Sequence, residues 1–144
     1  MPKTFQAPMT QSIRVKTLLR SSANGTNMQE LYTASAEGAV VKGLLVTSTD
    51  TVLRLMQLWL NADGVNDTLL GTVSIPASAG NLGSTAVTVD FFTGGTTANQ
   101  LLAALPRDQS GKPVLPIEGG DILKISTTSA TAANMHVTAI IEEF

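Results

Sequence analysis

Apolar and polar residues alternate along most of this chain with a period of two, the spacing of strands rather than helices. Extended segments are expected at residues 28–35, 39–49, 52–60, 68–75, 85–92, 114–117, 121–129 and 134–144. The breaks between them carry turn chemistry. Asp63-Gly64 within NADGVND is a hairpin signal between two apolar runs. Pro76 ends the following strand, and Gly94-Gly95 and Gly119-Gly120-Asp121 mark further turns. Residues 98–105, ANQLLAAL, have helical composition but span no more than about two turns.

Two segments are apolar on both faces. In TVLRLMQLWL, one face carries Leu53, Leu55, Gln57 and Trp59, the other Val52, Arg54, Met56, Leu58 and Leu60. Strict alternation over residues 39–49 sets Val41, Gly43 and Leu45 against Lys42, Leu44 and Val46. A strand at the surface of a small domain normally wets one face. Leu53, Leu55, Met56 and Trp59 are therefore expected to divide between the core and a self-association surface.

Seven or eight short strands with turns between them and almost no helix predict an all-β fold, a β-sandwich or jelly roll. Residues 28–144 are expected to form that domain. Residues 1–27, with Pro2, Pro8 and the polar stretch 21–27, are expected to be an extended basic arm and linker, although Ile13, Val15 and Leu18 could begin a strand.

Composition sharpens this picture. Charged residues are 14% of the 144, against about 25% in typical domains. The chain holds 19 Thr and 11 Ser instead, side chains cheap to desolvate at an interface and also common in strands. Lys3, Arg14, Lys16 and Arg20 precede every acidic residue, so a basic arm leads an acidic body. Those four cations are expected to contact the acidic surface of a neighbour. They are too dispersed for a nucleic-acid patch. There is no cysteine, hence no disulfide or thiolate-bound metal. No apolar run reaches the ~18 residues of a membrane helix, and no secretory signal is evident, so synthesis in the cytoplasm is expected.

Candidate chemistry is sparse. His136 is the only histidine and has no motif around it; general-base catalysis would need a partner within hydrogen-bond reach, and a surface or interface role is the simpler reading. Asn61, Asp63, Asn66 and Asp67 offer oxygen ligands but lack the further acidic ligand and flanking helices of a calcium loop. Glu142 and Glu143 are consecutive on a strand and point to opposite faces. No enzyme activity, metal, cofactor or small-molecule substrate is expected.

Two blocks, QELYTASAEGAVVKGLLVTSTDTVLRLMQLWLNADGVNDTLLGTVSIPA (29–77) and VLPIEGGDILKISTTSATAANMHVTAIIEEF (114–144), carry a resemblance. With Tyr32-Thr33-Ala34, Gly38, Lys42, Arg54-Leu55, Asp63-Gly64, Leu115-Pro116, Gly120-Asp121 and Phe144, they are similar to the cement or decoration proteins of tailed-bacteriophage heads. The resemblance implies a jelly-roll-like sandwich on the outer surface of the virion, self-associating as a dimer or trimer and bridging subunits of the major capsid protein. Two other readings stand beside it: a carbohydrate- or receptor-binding module of a tail or fibre, and a head–tail or tail structural component.

Overall fold

The computed structural model describes residues 12–81, 88–92 and 105–144. Among the described residues, nine strands form two antiparallel sheets packed as a β-sandwich: β1 (Ser12–Arg20), β2 (Gln29–Thr33), β3 (Ala39–Ser48), β4 (Arg54–Asn61), β5 (Thr68–Ile75), β6 (Val89–Asp90), β7 (Leu115–Ile117), β8 (Ile122–Thr127) and β9 (Met135–Glu143). One sheet runs β1-β9-β3-β6, with β7 on the same edge of β3 as β6. The other runs β2-β8-β4-β5. Except for the β4–β5 hairpin and the step from β6 to β7, each connection crosses from one sheet to the other. Each sheet therefore interleaves strands from both halves of the chain. Lys3, the expected helical turn at 98–105 apart from Leu105, and residues 85–87 of the expected strand lie outside the described residues.

The inner faces supply the core. Val41, Leu44 and Val46 of β3 meet Val137, Ala139 and Ile141 of β9 on one side, and Met56, Leu58, Leu123 and Ile125 close it from the other. All are essentially inaccessible to solvent, and each large side chain contributes about 1.5–3 kcal/mol by leaving water. Phe91 and Phe92, both buried, plug the side of the sandwich next to β6.

Three bulges explain where strict alternation fails. Between Val41 and Gly43 the register of β3 on β9 shifts, leaving Lys42 as the extra residue. Val41 consequently shares the inner face with Leu44 and Val46, not with Gly43 and Leu45 as strict alternation over 39–49 would have it. A bulge between Glu30 and Tyr32 lets Leu31 and Tyr32 both turn inward. A third, between Leu58 and Trp59, makes Leu70 the extra residue on β5. A single inserted residue flips every later side chain to the other face.

The expected arm also needs correction over its second half. Residues 12–20 are an edge strand, paired with β9 along its whole length from Ser12↔Glu143 to Arg20↔Met135. Arg14, Lys16, Leu18 and Arg20 point to the core side, whereas Ile13, Val15, Thr17 and Leu19 point outward. The alternation of charged and apolar residues over 13–20 is that of an edge strand with inward-pointing charges.

Turns at the two ends lock the sheets together. At one end, Gly38 takes a positive φ of 82° beside the Ile117 carbonyl, and Gly119 lies against the backbone of Ala36, where any Cβ would collide. At the other, the buried Asp50 accepts hydrogen bonds from Arg54 Nε (2.8 Å), the Ala132 amide (2.9 Å) and the Val52 amide (3.0 Å). Burial raises the Asp50 pKa, but these donors outweigh it and hold the carboxyl below its usual range.

Candidate interaction surfaces

Four features could carry a function: the two outward sheet faces, the β1 edge, and the β4–β5 hairpin. The outward face of the first sheet presents Ile13 (74% exposed), Val15 (61%) and Leu19 (51%) from β1. Register places Glu142 and Val40 beside Ile13, Ile140 and Gly43 beside Val15, Thr138 and Leu45 beside Thr17, and His136 and Thr47 beside Leu19. Glu142 is held by Lys42 at 3.2 Å. Along β1, β9 and β3 this pair carries the charge of the face, His136 adds an imidazole, and Asp90 of β6 stands beside Leu45.

On the second sheet, β4 does divide into an inner and an outer face. Met56 and Leu58 are buried, and Leu60 packs against the core. Outward lie Leu55 (39% exposed), Gln57 and Trp59, with Leu53 (53%) just before the strand and Leu69 (44%) opposite Trp59. The Trp59 ring is half-buried, and its Nε1 donates to Ser126 Oγ at 2.8 Å. Ser126 in turn donates to Gln57 at 3.1 Å. The indole is thus tethered to the sheet instead of standing free as a stacking platform.

At the β1 edge a shallow pocket of about 320 Å³ is lined by Lys16, Glu30, Leu31, Tyr32, Thr33 and Glu143. Arg14 Nε lies 2.6 Å from Glu143 Oε2, and Tyr32 Oη donates to Glu143 Oε1 at 2.7 Å. The Tyr32 bond, with help from Arg14, draws the Glu143 pKa down against its partial desolvation. Arg14 and Lys16 remain solvent-accessible.

Arg20 does not. It is fully buried and donates from Nε to Thr127 Oγ1 (3.0 Å), from Nη1 to Asn27 O and Gln29 Oε1 (2.9 Å each), and from Nη2 to Gly25 O (2.9 Å). Its guanidinium folds the 21–28 loop over the end of β8 and is spent there, so the expectation that Arg20 reaches a neighbour is corrected. Sequence reasoning missed this because a cation near a chain terminus looks solvated until the loop that wraps it is known.

In the hairpin, the oxygens that resembled a calcium loop are committed internally. Asp63 Oδ1 accepts from the amides of Val65 (2.8 Å) and Asn66 (2.7 Å), and Asp67 pairs with Lys124 at 2.9 Å. Gly64, at φ 77°, completes the turn. Among the described residues no three His, Asp or Glu side chains are grouped to hold a metal. His136 is exposed, and its imidazole makes no hydrogen bond among the described residues. No helix among the described residues is long and apolar enough to cross a membrane. The chain matches no family model, no curated protein and no solved structure.

Proposed function

We propose that the protein is a structural component of a tailed-phage virion, a decoration protein that binds the outside of the head and bridges major capsid protein subunits. The observation that carries this reading is that the outward faces of both sheets expose large apolar side chains: Ile13, Val15 and Leu19 on one, Leu53, Leu55 and Leu69 on the other. Clustered exposed apolar residues of this kind mark protein-binding surfaces. A slab adhesive on two sides can join two neighbours, which is what a bridging element requires. The interleaved strand order supports reading the sandwich as a jelly roll, in keeping with the family resemblance of the sequence. The Leu53–Leu55–Leu69 face is assigned to the shell, and Arg14 and Lys16, on the separate β1–β2 edge, are cations able to meet acidic groups of a neighbour. Contacts of modest size, repeated by symmetry over a shell, add up by avidity.

A sugar-binding role is less well served, because Trp59, the one tryptophan, is half-buried and hydrogen-bonded at Nε1.

The test is co-sedimentation with expanded, undecorated phage heads, using the full chain and a form lacking residues 1–11. The deletion stops there because residues 12–20 are a strand of the sandwich. Saturable binding in simple proportion to the major capsid protein supports the proposal. Loss of binding in the shortened form assigns the anchor to residues 1–11, and retention assigns it to the sandwich. If the full chain stays in the supernatant at every concentration, the capsid role is wrong.

A further inference from the structure

The outward face of the β1-β9-β3 sheet has an internal pattern that identifies its occupant. Its side chains fall into four rows across the strands. The first is Ile13, Glu142 and Val40; the second Val15, Ile140 and Gly43; the third Thr17, Thr138 and Leu45; the fourth Leu19, His136 and Thr47. Ile140 leans over the glycine, its Cδ1 within 3.7 Å of where a Gly43 Cβ would stand. The second row is therefore bulky and the third is mainly threonine.

We infer that this face packs against the same face of a second copy, about a two-fold axis that lies in the interface and crosses the strands between the second and third rows. A two-fold axis is the commonest symmetry of soluble homo-oligomers and needs a self-complementary patch. This one is self-complementary. The rotation sets the first row against the partner's fourth, and the second against its third. Ile13 meets Leu19 of the partner subunit, and Glu142 meets His136 of the partner subunit. Val15 and Ile140 meet Thr17 and Thr138 of the partner subunit, bulky side chains against small ones. The apolar centre is closed at both ends by a carboxylate opposite an imidazole.

Two other arrangements of copies fit worse. A two-fold axis parallel to the strands would set Glu142 against Glu142 and Ile140 against Ile140, like charge on like charge and bulk on bulk. Edge-to-edge pairing of β1 about its middle would bring Lys16 beside Lys16, and like charges directly opposite oppose pairing. Four rows on three strands span roughly 20 by 15 Å, small against the ~800 Å² per partner of a stable interface. The dimer is accordingly reversible and concentration-dependent. It does not rest on the capsid reading, because it forms in solution without a shell.

Sedimentation velocity of the full chain across a wide concentration range is the first test. The weight-average mass should climb from 15.0 kDa toward twice that value. Val15→Glu, and separately Ile13→Glu, should stay at the monomer mass with unchanged thermal unfolding, both sites being on the exposed side of an edge strand. The orientation is tested by cross-linking, which needs no disruptive change. The chain has no cysteine, so introduced thiols are the only ones present. Packed sheets stand about 10 Å apart, beyond a disulfide but within reach of a short bis-maleimide. A Val40→Cys, Thr47→Cys double variant should cross-link into a covalent dimer, whereas each single variant should not. A mass that stays at the monomer value throughout, or approaches three times it, overturns the proposal. So does a single variant that cross-links as well as the double.

Discussion

Tyr32 Oη donates a 2.7 Å hydrogen bond to Glu143 Oε1, joining β2 of one sheet to the last residue of β9 in the other across 111 positions of sequence. Arg14 Nε braces the same carboxylate from β1. Strands β1, β2 and β9, drawn from both sheets, are thus tied at one point on the rim of the sandwich. Burial pushes the Tyr32 phenol up to about 12, and the bond to Glu143 adds to that.

Tyr32 is the only tyrosine, so phenolate absorbance reads it directly. Native protein should titrate near 12 and denatured protein near the ordinary ~10. Because the folded value is the higher one, this contribution to stability is complete below the unfolded value and is lost as pH rises from about 10 toward about 12. Tyr32→Phe should cost about 2 kcal/mol at neutral pH and remove that loss from the alkaline denaturant-midpoint curve. A native titration near 10 would show that the cross-sheet bond is not made.

Arg20 ties the 21–28 loop to β2 and β8 with four hydrogen bonds from a buried guanidinium. Arg20→Met leaves those acceptors without their donor and should cost about 3 kcal/mol in urea unfolding. Arg20→Lys should recover little, since a single ammonium cannot fork to acceptors on three sides. Equal midpoints for wild type and Arg20→Met would refute the assignment.

Asp50 staples the opposite end of the sandwich. Its folded pKa lies below the ordinary value, so its contribution is present above the usual carboxylate range and disappears as pH falls through the depressed value. Asp50→Asn should lower stability by about 2 kcal/mol near neutrality. The gap between wild type and variant should narrow as the solution is acidified below pH ~4. A gap that persists undiminished at low pH would mean that the charge is not what matters.

The two outward faces should be separable. Leu55→Glu, on the shell-assigned face, is expected to abolish co-sedimentation with heads while leaving the concentration-dependent mass intact. Val15→Glu, on the other face, should do the reverse in solution. Either substitution abolishing both properties with an unchanged fold would collapse the two-surface scheme into one.

Trp59 reports on the shell-assigned face as the single tryptophan. Ser126→Ala removes the acceptor of its Nε1 and should shift its emission, with a stability loss of about 1 kcal/mol. An unchanged spectrum would mean that the indole is not tethered there.

Much of the architecture was legible in the order of residues. The period-two pattern marked most of the described strands, and Asp63-Gly64 marked the β4–β5 hairpin, because alternation and turn chemistry are local properties of the chain. The sequence also sorted Met56 and Leu58 from Leu55 and Trp59 onto opposite sides of β4. It left undetermined which side was dry, since both were apolar and the choice depends on what packs there. The bulges at Lys42 and Leu31 were invisible, because a bulge is a relation between two strands and neither strand encodes it alone. The same holds for β1. Ile13 and Val15 could be read as the start of a strand, but only nine pairings with β9, more than a hundred residues away, make it one. Arg20 shows the limit most clearly. Its charge was plain in the sequence, but its burial was decided by a loop and a distant strand whose oxygens replace water around the guanidinium, and that replacement exists only once the chain has closed on itself.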